Sequence, residues 1–269
     1  MAHPTQFRSP AYRALIKTLG ESDAVVEWIE VGVRELQHIK IYKGFSAVNE
    51  LAKMHEVCVN LIDFKDLRSR CARLQILAVY QQIEYFLEAF RKTHPRKVDY
   101  SAQSDGDRLS RTLSAFKITS REVGQLEVDI FQYYRLARNL IMHDPEGDQR
   151  KTHERKCKDL QTQVQQSSYQ TLSAPNVIEE LCFDDFVLFT RVGKQLASNL
   201  CQVTNPTDNE LVEYALNDTT LIKKIKSLSN NRKRCINLAA CFLREKFSVS
   251  DERSKTLGIK VVTDFGSLA

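Results

Sequence analysis

Apolar residues recur along this chain at steps of three and four, the repeat of one helix face, and helical signals dominate throughout. The clearest stretch is 66–92, where Ile76, Tyr80, Ile83, Leu87 and Phe90 form one stripe that Val79 and Phe86 widen. Thr93-His94-Pro95 ends it. Upstream, the pattern predicts helices over about 11–20 and 22–40, the second capped by Ser22 and Asp23. Gly44 and Phe45 break that run, and Ser46 opens a further helix to about Asn60. Downstream, polar residues 96–107 read as a loop and 108–116 as a short helix.

Thr119-Ser120-Arg121-Glu122 reads as a cap with an acidic first turn. The helix it opens runs to about His143, with Ile130, Tyr134, Ala137 and Ile141 as its apolar face. Asp144-Pro145-Glu146-Gly147 stops it, because Pro cannot continue a helix and Gly favours turns. Residues 148–174 are polar, basic at first and then rich in Gln and Ser. Two readings stay open for them, a partly helical excursion or a mobile loop. A strong helix returns over 176–201, with Phe189, Val192, Leu196 and Leu200 as its stripe. Asn205-Pro206-Thr207 marks a boundary. Residues 208–269 hold two or three shorter helices, and Gly258–Phe265 is compatible with an extended segment. Trp28 and the Tyr and Phe residues keep helical spacing, which predicts core positions rather than base-stacking platforms. The expected fold is an all-α antiparallel helical bundle. It comprises an N-terminal helical extension (1–45), a helical domain (46–205) and a C-terminal helical region (206–269) that binds RNA or a partner.

Composition narrows the class. Apolar residues at 42% and charged residues at 27% fit a globular chain long enough to bury a core. A net charge of +5 permits a polyanionic partner without demanding one. The seven cysteines show no C-x-x-C pair, so no zinc or other metal site is expected, and they read as reduced thiols of a reducing cytosol. The N-terminus, Met1-Ala2-His3-Pro4, carries no basic segment followed by an apolar run. No stretch approaches the roughly 18 uncharged apolar residues of a membrane span. The expectation is a cytoplasmic protein without a membrane partner.

The sharpest chemical feature is Arg138-Asn139-Leu140-Ile141-Met142-His143, on the last turns of a helix before a hard stop. An Arg-x4-His spacing arises by chance roughly 0.4 times in a chain of this composition, and roughly 0.02 times when Asn must follow the Arg. At about 100° per residue, Arg138, Asn139, Met142 and His143 flank the buried stripe rather than lie in it. Such an arc can line a groove against a second helix or a second copy. The residue types suit RNA cleavage. His moves a proton near neutral pH, Arg neutralises a phosphate and the charge that grows on it, and the ribose 2′-hydroxyl serves as nucleophile without a metal. The bland alternative is a surface Arg and a helix-terminal His sitting on the helix dipole.

This hexapeptide resembles the signature of the HEPN-domain ribonucleases, the higher-eukaryote and prokaryote nucleotide-binding superfamily. They carry Arg-x4–6-His, very often with Asn after the Arg, at the end of the third core helix of a bundle. The helix order around the motif is similar, and the resemblance covers about residues 46–203. It implies a HEPN-type bundle and a metal-independent endoribonuclease with no cofactor. It also implies a homodimer that builds the site from the Arg and His of both copies. The setting it implies is a toxin, antiviral defence or abortive infection effector, with an antitoxin or sensor protein as a further partner. Carried over by position, Arg138 stabilises the phosphate, Asn139 orients and His143 acts as general acid or base. Some members carry a Tyr two residues after the His; that position is Pro145 in this chain.

Further candidates surround the motif. Glu84 lies within the 66–92 stripe, where it would orient His143 or Arg138, or else sit half-exposed beside Arg91 or Lys92. Arg135 lies one turn before Arg138 and would add a phosphate contact. Arg150, Lys151, His153, Arg155, Lys156 and Lys158 form a basic run that would steer RNA, as would Lys223, Lys224, Lys226 and Arg232–Arg234 around Ser229-Asn230-Asn231. Either run also reads as a solvated face. The competing function is a non-catalytic helical subunit that binds RNA or a protein.

Overall fold

The computed structural model describes residues 7–60, 62–98, 106–143, 148–228 and 230–268. The expected stop at 144–147, most of the polar loop before Arg108, and Ser229 lie outside these residues. Among the described residues the structure is all-helical, with no strand. Its helices are α1 (Pro10–Met54), α2 (Phe64–Thr93), α3 (Arg108–Phe116), α4 (Ser120–Val123), α5 (Gln125–His143), α6 (Asp148–Gln165), α7 (Phe183–Val203), α8 (Asp208–Asn217), α9 (Thr219–Ser227), α10 (Arg232–Phe247) and α11 (Asp251–Leu268), with a 3₁₀ turn at Ile178–Glu180. None is long and apolar enough to cross a membrane.

Local chemistry explains many of the ends. Ser9 accepts from the Tyr12 N–H at 3.1 Å and Pro10 follows it, the usual start of a helix. Asp107 caps α3 through the Ser110 N–H, and Thr119 with Glu122 closes the expected capping box. That box opens only one turn, because Gly124 (φ 99) interrupts the chain before α5. Thr207 and Glu210 form a second box at α8.

Four expectations need correction. First, nothing breaks at residues 20–22. Ser22 and Asp23 lie inside α1, where Ser22 accepts from Gln82 Nε2 at 2.7 Å and Asp23 pairs with Lys194 at 2.6 Å. The break comes at Gly44 (φ 80, ψ 171), a backbone state that a Cβ would strain, and the helix beyond it stops at Met54 rather than Asn60. Second, Trp28 is not in the core. It is 79% exposed, because α1 buries the opposite side through Leu19, Val26 and Val33. Third, residues 148–165 are a regular helix whose buried stripe is His153, Cys157, Leu160 and Val164. Residues 176–182 are outside any α-helix. Fourth, Gly258–Phe265 is helical, within α11, and residues 208–268 hold four helices.

The chain divides into two compact units. Unit 1 takes the described parts of Met1–Leu15, Glu84–Gly124 and Leu196–Ala269, and unit 2 takes Ile16–Ile83 and Gln125–Gln195. In unit 1, Phe90 and Phe116 pack with Phe7 around His94, while Leu243, Phe247, Leu257 and Val261 are fully or nearly fully buried. Here α10 and α11 approach so closely that a Cβ on Gly258 would stand 2.7 Å from the Ile236 carbonyl oxygen and 3.1 Å from the Ala240 nitrogen. Gly258→Ala is therefore expected to cost about 2 kcal/mol by overpacking. Gly266→Ala, on the same helix with open space around it, is expected to stabilise by up to about 1 kcal/mol through helix propensity. Urea unfolding checks both signs; equal effects would contradict the packing.

In unit 2, Phe131 lies between Tyr80 and Phe189, and Tyr134 stacks on Phe189 at 4.6 Å. Ile76, Val79, Ile83, Ile130, Ala137, Leu188 and Val192 complete that core.

Candidate functional site

Unit 2 carries the hexapeptide on the last turns of α5. The helix is fixed by its inner face, where Val128, Ile130, Phe131, Tyr133, Tyr134, Ala137 and Leu140 are buried. Leu140, not Ile141, continues the stripe; Ile141 is half-buried. Arg138 and Asn139 are half-exposed, Met142 is 52% exposed, and His143 is exposed as the last residue of the helix.

Arg138 is held in two ways. Its guanidinium lies over the Tyr80 ring, 5.7 Å from the centroid, and its Nη1 donates to Asn139 Oδ1 at 3.0 Å. Asn139 therefore orients the Arg side chain. With α5 stacked on α2 through Tyr80 and Phe131, the guanidinium has a fixed seat at the edge of the core. His143 sits in the last turn of α5, where the helix carbonyls end.

The other candidates fall as follows. Arg135 donates from Nε to Gln132 Oε1 at 2.7 Å, along its own helix. Arg150 pairs with Glu179 at 3.0 Å, and Lys151 beside it on α6 is exposed. His153 leaves the basic run altogether, because it lies on the buried stripe of α6. Glu84 belongs to unit 1, where Arg108 pairs with its carboxylate at 3.1 Å and donates to its backbone carbonyl at 3.2 Å. Asn231 caps α10 through the Arg234 N–H, so Arg232, Lys233 and Arg234 form a helix start. All seven cysteines are free thiols; Cys157, Cys201 and Cys235 are buried and Cys58 is exposed. Among the described residues, no three His, Cys, Asp or Glu side chains gather in an arrangement that could hold a metal ion.

The sequence reading missed a buried polar cluster behind the hexapeptide. Asp185, fully buried at the start of α7, accepts from Tyr134 Oη, the Asn176 N–H, Asn176 Nδ2 and the Cys182 N–H, all at 2.9 Å. Burial pushes its carboxyl up, against the lowering effect of those hydrogen bonds. Burial likewise raises the Tyr133 and Tyr134 phenols well above their ordinary value, and it pushes the Cys182 thiol up to about 11 with help from Asp185. The Tyr133 hydroxyl donates to the Asn176 carbonyl. Cys157 and Gln161 of α6 both donate to the Pro175 carbonyl, at 3.3 and 2.9 Å. Segment 173–182 is thus tied to α5, α6 and α7 by side chains. Asp184-Asp185 reads in sequence as an ordinary acidic first turn, and nothing local says that one of the pair is buried.

His153 completes this region. It is fully buried and stacks on Tyr133 at 4.4 Å, and neither ring nitrogen has a hydrogen-bond partner. Burial pushes its pKa down to about 4; Arg150 adds to the effect and Glu179 opposes it. A neutral, enclosed imidazole cannot steer RNA.

Unit 2 also holds a cavity of about 450 Å³ lined by α1, α2 and residues 179–182. Its walls mix Lys40, Lys65 and Arg68 with Asp63, Glu179 and Glu180, and it draws no residue from α5. The exposed Arg138–His143 edge lies outside this cavity. Compared with models of protein families, with curated proteins and with solved structures, the chain matches none.

Proposed function

We propose that this protein is a metal-independent endoribonuclease of HEPN type, acting as a homodimer in a toxin or antiviral defence role. The observation that supports this reading most directly is Arg138. A guanidinium seated on Tyr80 and braced by Asn139, next to solvent and five residues before an exposed His143 on the same helix end, is a prearranged phosphate clamp with an acid-base group further along that end.

The chemistry balances without a metal. The ribose 2′-oxygen attacks the neighbouring phosphorus, a 2′-O–P bond forms and the P–5′-O bond breaks. The 2′-hydroxyl proton passes to His143 of one chain. His143 of the other protonates the leaving 5′-oxygen. Arg138 carries the extra charge on the phosphoryl oxygens at the transition state. The products are a 2′,3′-cyclic phosphate and a 5′-hydroxyl. Lys151 and its basic neighbours on α6 bind phosphates along the strand.

A second reading is a subunit that binds RNA or a protein without cutting. It is favoured by the fact that Arg138 engages Asn139 and Tyr80, both on its own chain.

The test is to incubate the purified chain with RNA in EDTA. Cleavage is expected to survive chelation and to fall about a hundredfold or more in His143→Ala. Cleavage unchanged in that variant would sink the ribonuclease reading, and binding without cleavage would favour the second.

A further inference from the structure

We infer that α1 pairs with α1 of a second copy of this chain, antiparallel, about a two-fold axis at Gly32. The inference rests on α1 alone and needs no RNA chemistry.

Seven residues of α1 share one face: Glu21, Val25, Trp28, Gly32, Leu36, Ile39 and Lys43. At about 100° per residue they lie within about 80° of arc. Val25 is 60% exposed and Trp28 79%; Glu21, Gly32 and Lys43 are exposed, and Leu36 and Ile39 are half-buried. This is a second apolar stripe, turned away from the one that the chain buries through Leu19, Val26 and Val33. A partly exposed apolar stripe that includes the sole tryptophan, itself 79% exposed, marks an interaction surface.

Its side-chain types, with an acidic and a basic end at equal distance from Gly32, fit a second copy. Steps along the face run 4, 3, 4, 4, 3, 4 and read the same in both directions from Gly32. In an antiparallel two-fold pair, Gly32 meets Gly32, Trp28 meets Leu36, Val25 meets Ile39, and Glu21 meets Lys43. A point at which no Cβ stands, with nothing within 4 Å, lets the two helices approach closely at the crossing. The charges at the rim fix direction: antiparallel packing sets Glu21 against Lys43 at both ends, whereas parallel packing sets like on like. The stripe closes at Lys43 because Gly44 bends the helix next.

Trp28 is the chain's single tryptophan, so its emission reports this surface directly. Sedimentation equilibrium of the full chain is expected to show a dimer with micromolar or tighter affinity. Dilution should shift the emission to the red as Trp28 becomes wet. Trp28→Ala is expected to weaken association about tenfold or more with helicity unchanged. Glu21→Lys and Lys43→Glu should each weaken it about tenfold, and the two together should restore it, because each charge is reversed along with its partner. A chain that stays monomeric at about 100 µM, an emission independent of concentration, or a double reversal no better than either single one would overturn the pairing. A dimer that cuts no RNA leaves the pairing intact and removes the ribonuclease reading. RNA cut by a dimer whose affinity is indifferent to the Trp28, Glu21 and Lys43 changes does the opposite.

Discussion

Acidifying the protein from pH 7 to pH 4 is expected to remove about 6 kcal/mol of stability, about half from each of two buried histidines. His94 in unit 1 and His153 in unit 2 are both pushed down to about 4, in each case chiefly by burial. His94 sits among Phe7, Phe90 and Phe116, with Arg96 and Glu210 as the charges nearest it; His153 stacks on Tyr133 between Arg150 and Glu179. The sign follows from linkage. A histidine whose folded pKa lies below the unfolded value of about 6.5 keeps its full contribution above that pH, and the contribution drains away as pH falls towards 4.

Carboxylates modify this differently in the two units. In unit 1, burial pushes Glu210 and Asp218 up, but hydrogen bonds and ion pairs outweigh it and hold both below their ordinary range. They lose stability with acid too. In unit 2, Asp185 is raised and acts in the opposite direction. Unit 1 should therefore yield first, and pepsin at pH 4 should cut it before unit 2. Replacing His153 by Phe keeps the stack and removes two orphan nitrogens. The variant should be as stable as the parent at pH 7 and should lose only about half as much by pH 4. Denaturant unfolding at the two pH values measures this. An unchanged pH dependence in His153→Phe would remove the account.

Asp185→Ala is expected to cost about 3–5 kcal/mol. The reason is asymmetry. Removing the carboxylate leaves the fully buried Tyr134 hydroxyl and the half-buried Asn176 and Cys182 N–H groups without their acceptor. Asp185→Asn should recover little, because every partner is a donor and the new amide brings two more. Tyr134→Phe, which removes one donor and leaves the carboxylate three contacts, should cost only about 1–2 kcal/mol. Thermal and urea unfolding of the three variants decide it. A loss below about 1 kcal/mol in Asp185→Ala would mean that the cluster contributes no net stability. Because the cluster tethers 173–182 to α5, any RNA-cleaving activity should fall in Asp185→Ala at temperatures well below its melting point.

What the sequence conveyed is what local chemistry decides. The stripe of α2, the ends of α3 and the Thr119–Glu122 box were legible because each depends on residues within one or two turns. The all-helical class was legible for the same reason. Ser22 and Asp23 misled because a cap and a tertiary ligand use the same oxygens: Gln82 and Lys194, distant in sequence, claim them. Trp28 misled because spacing shows that a face exists, not whether the same chain covers it. α6 was obscured because its buried stripe contains one His and one Cys among eighteen mostly polar residues. At the candidate site, Arg138 and His143 stood out by spacing, but Tyr80 as the seat of Arg138 needed the fold.

The way the two units share the chain bears on the order in which they are made. Unit 2 ends at Gln195, so all of its residues have been synthesised while the last helices are still to come. Unit 1 draws on the first residues and on everything from Leu196 onward. Its early segments, Phe7 and the last third of α2 among them, must wait, with apolar side chains uncovered, until α8, α10 and α11 emerge. During vectorial synthesis, unit 1 is therefore the late-closing part.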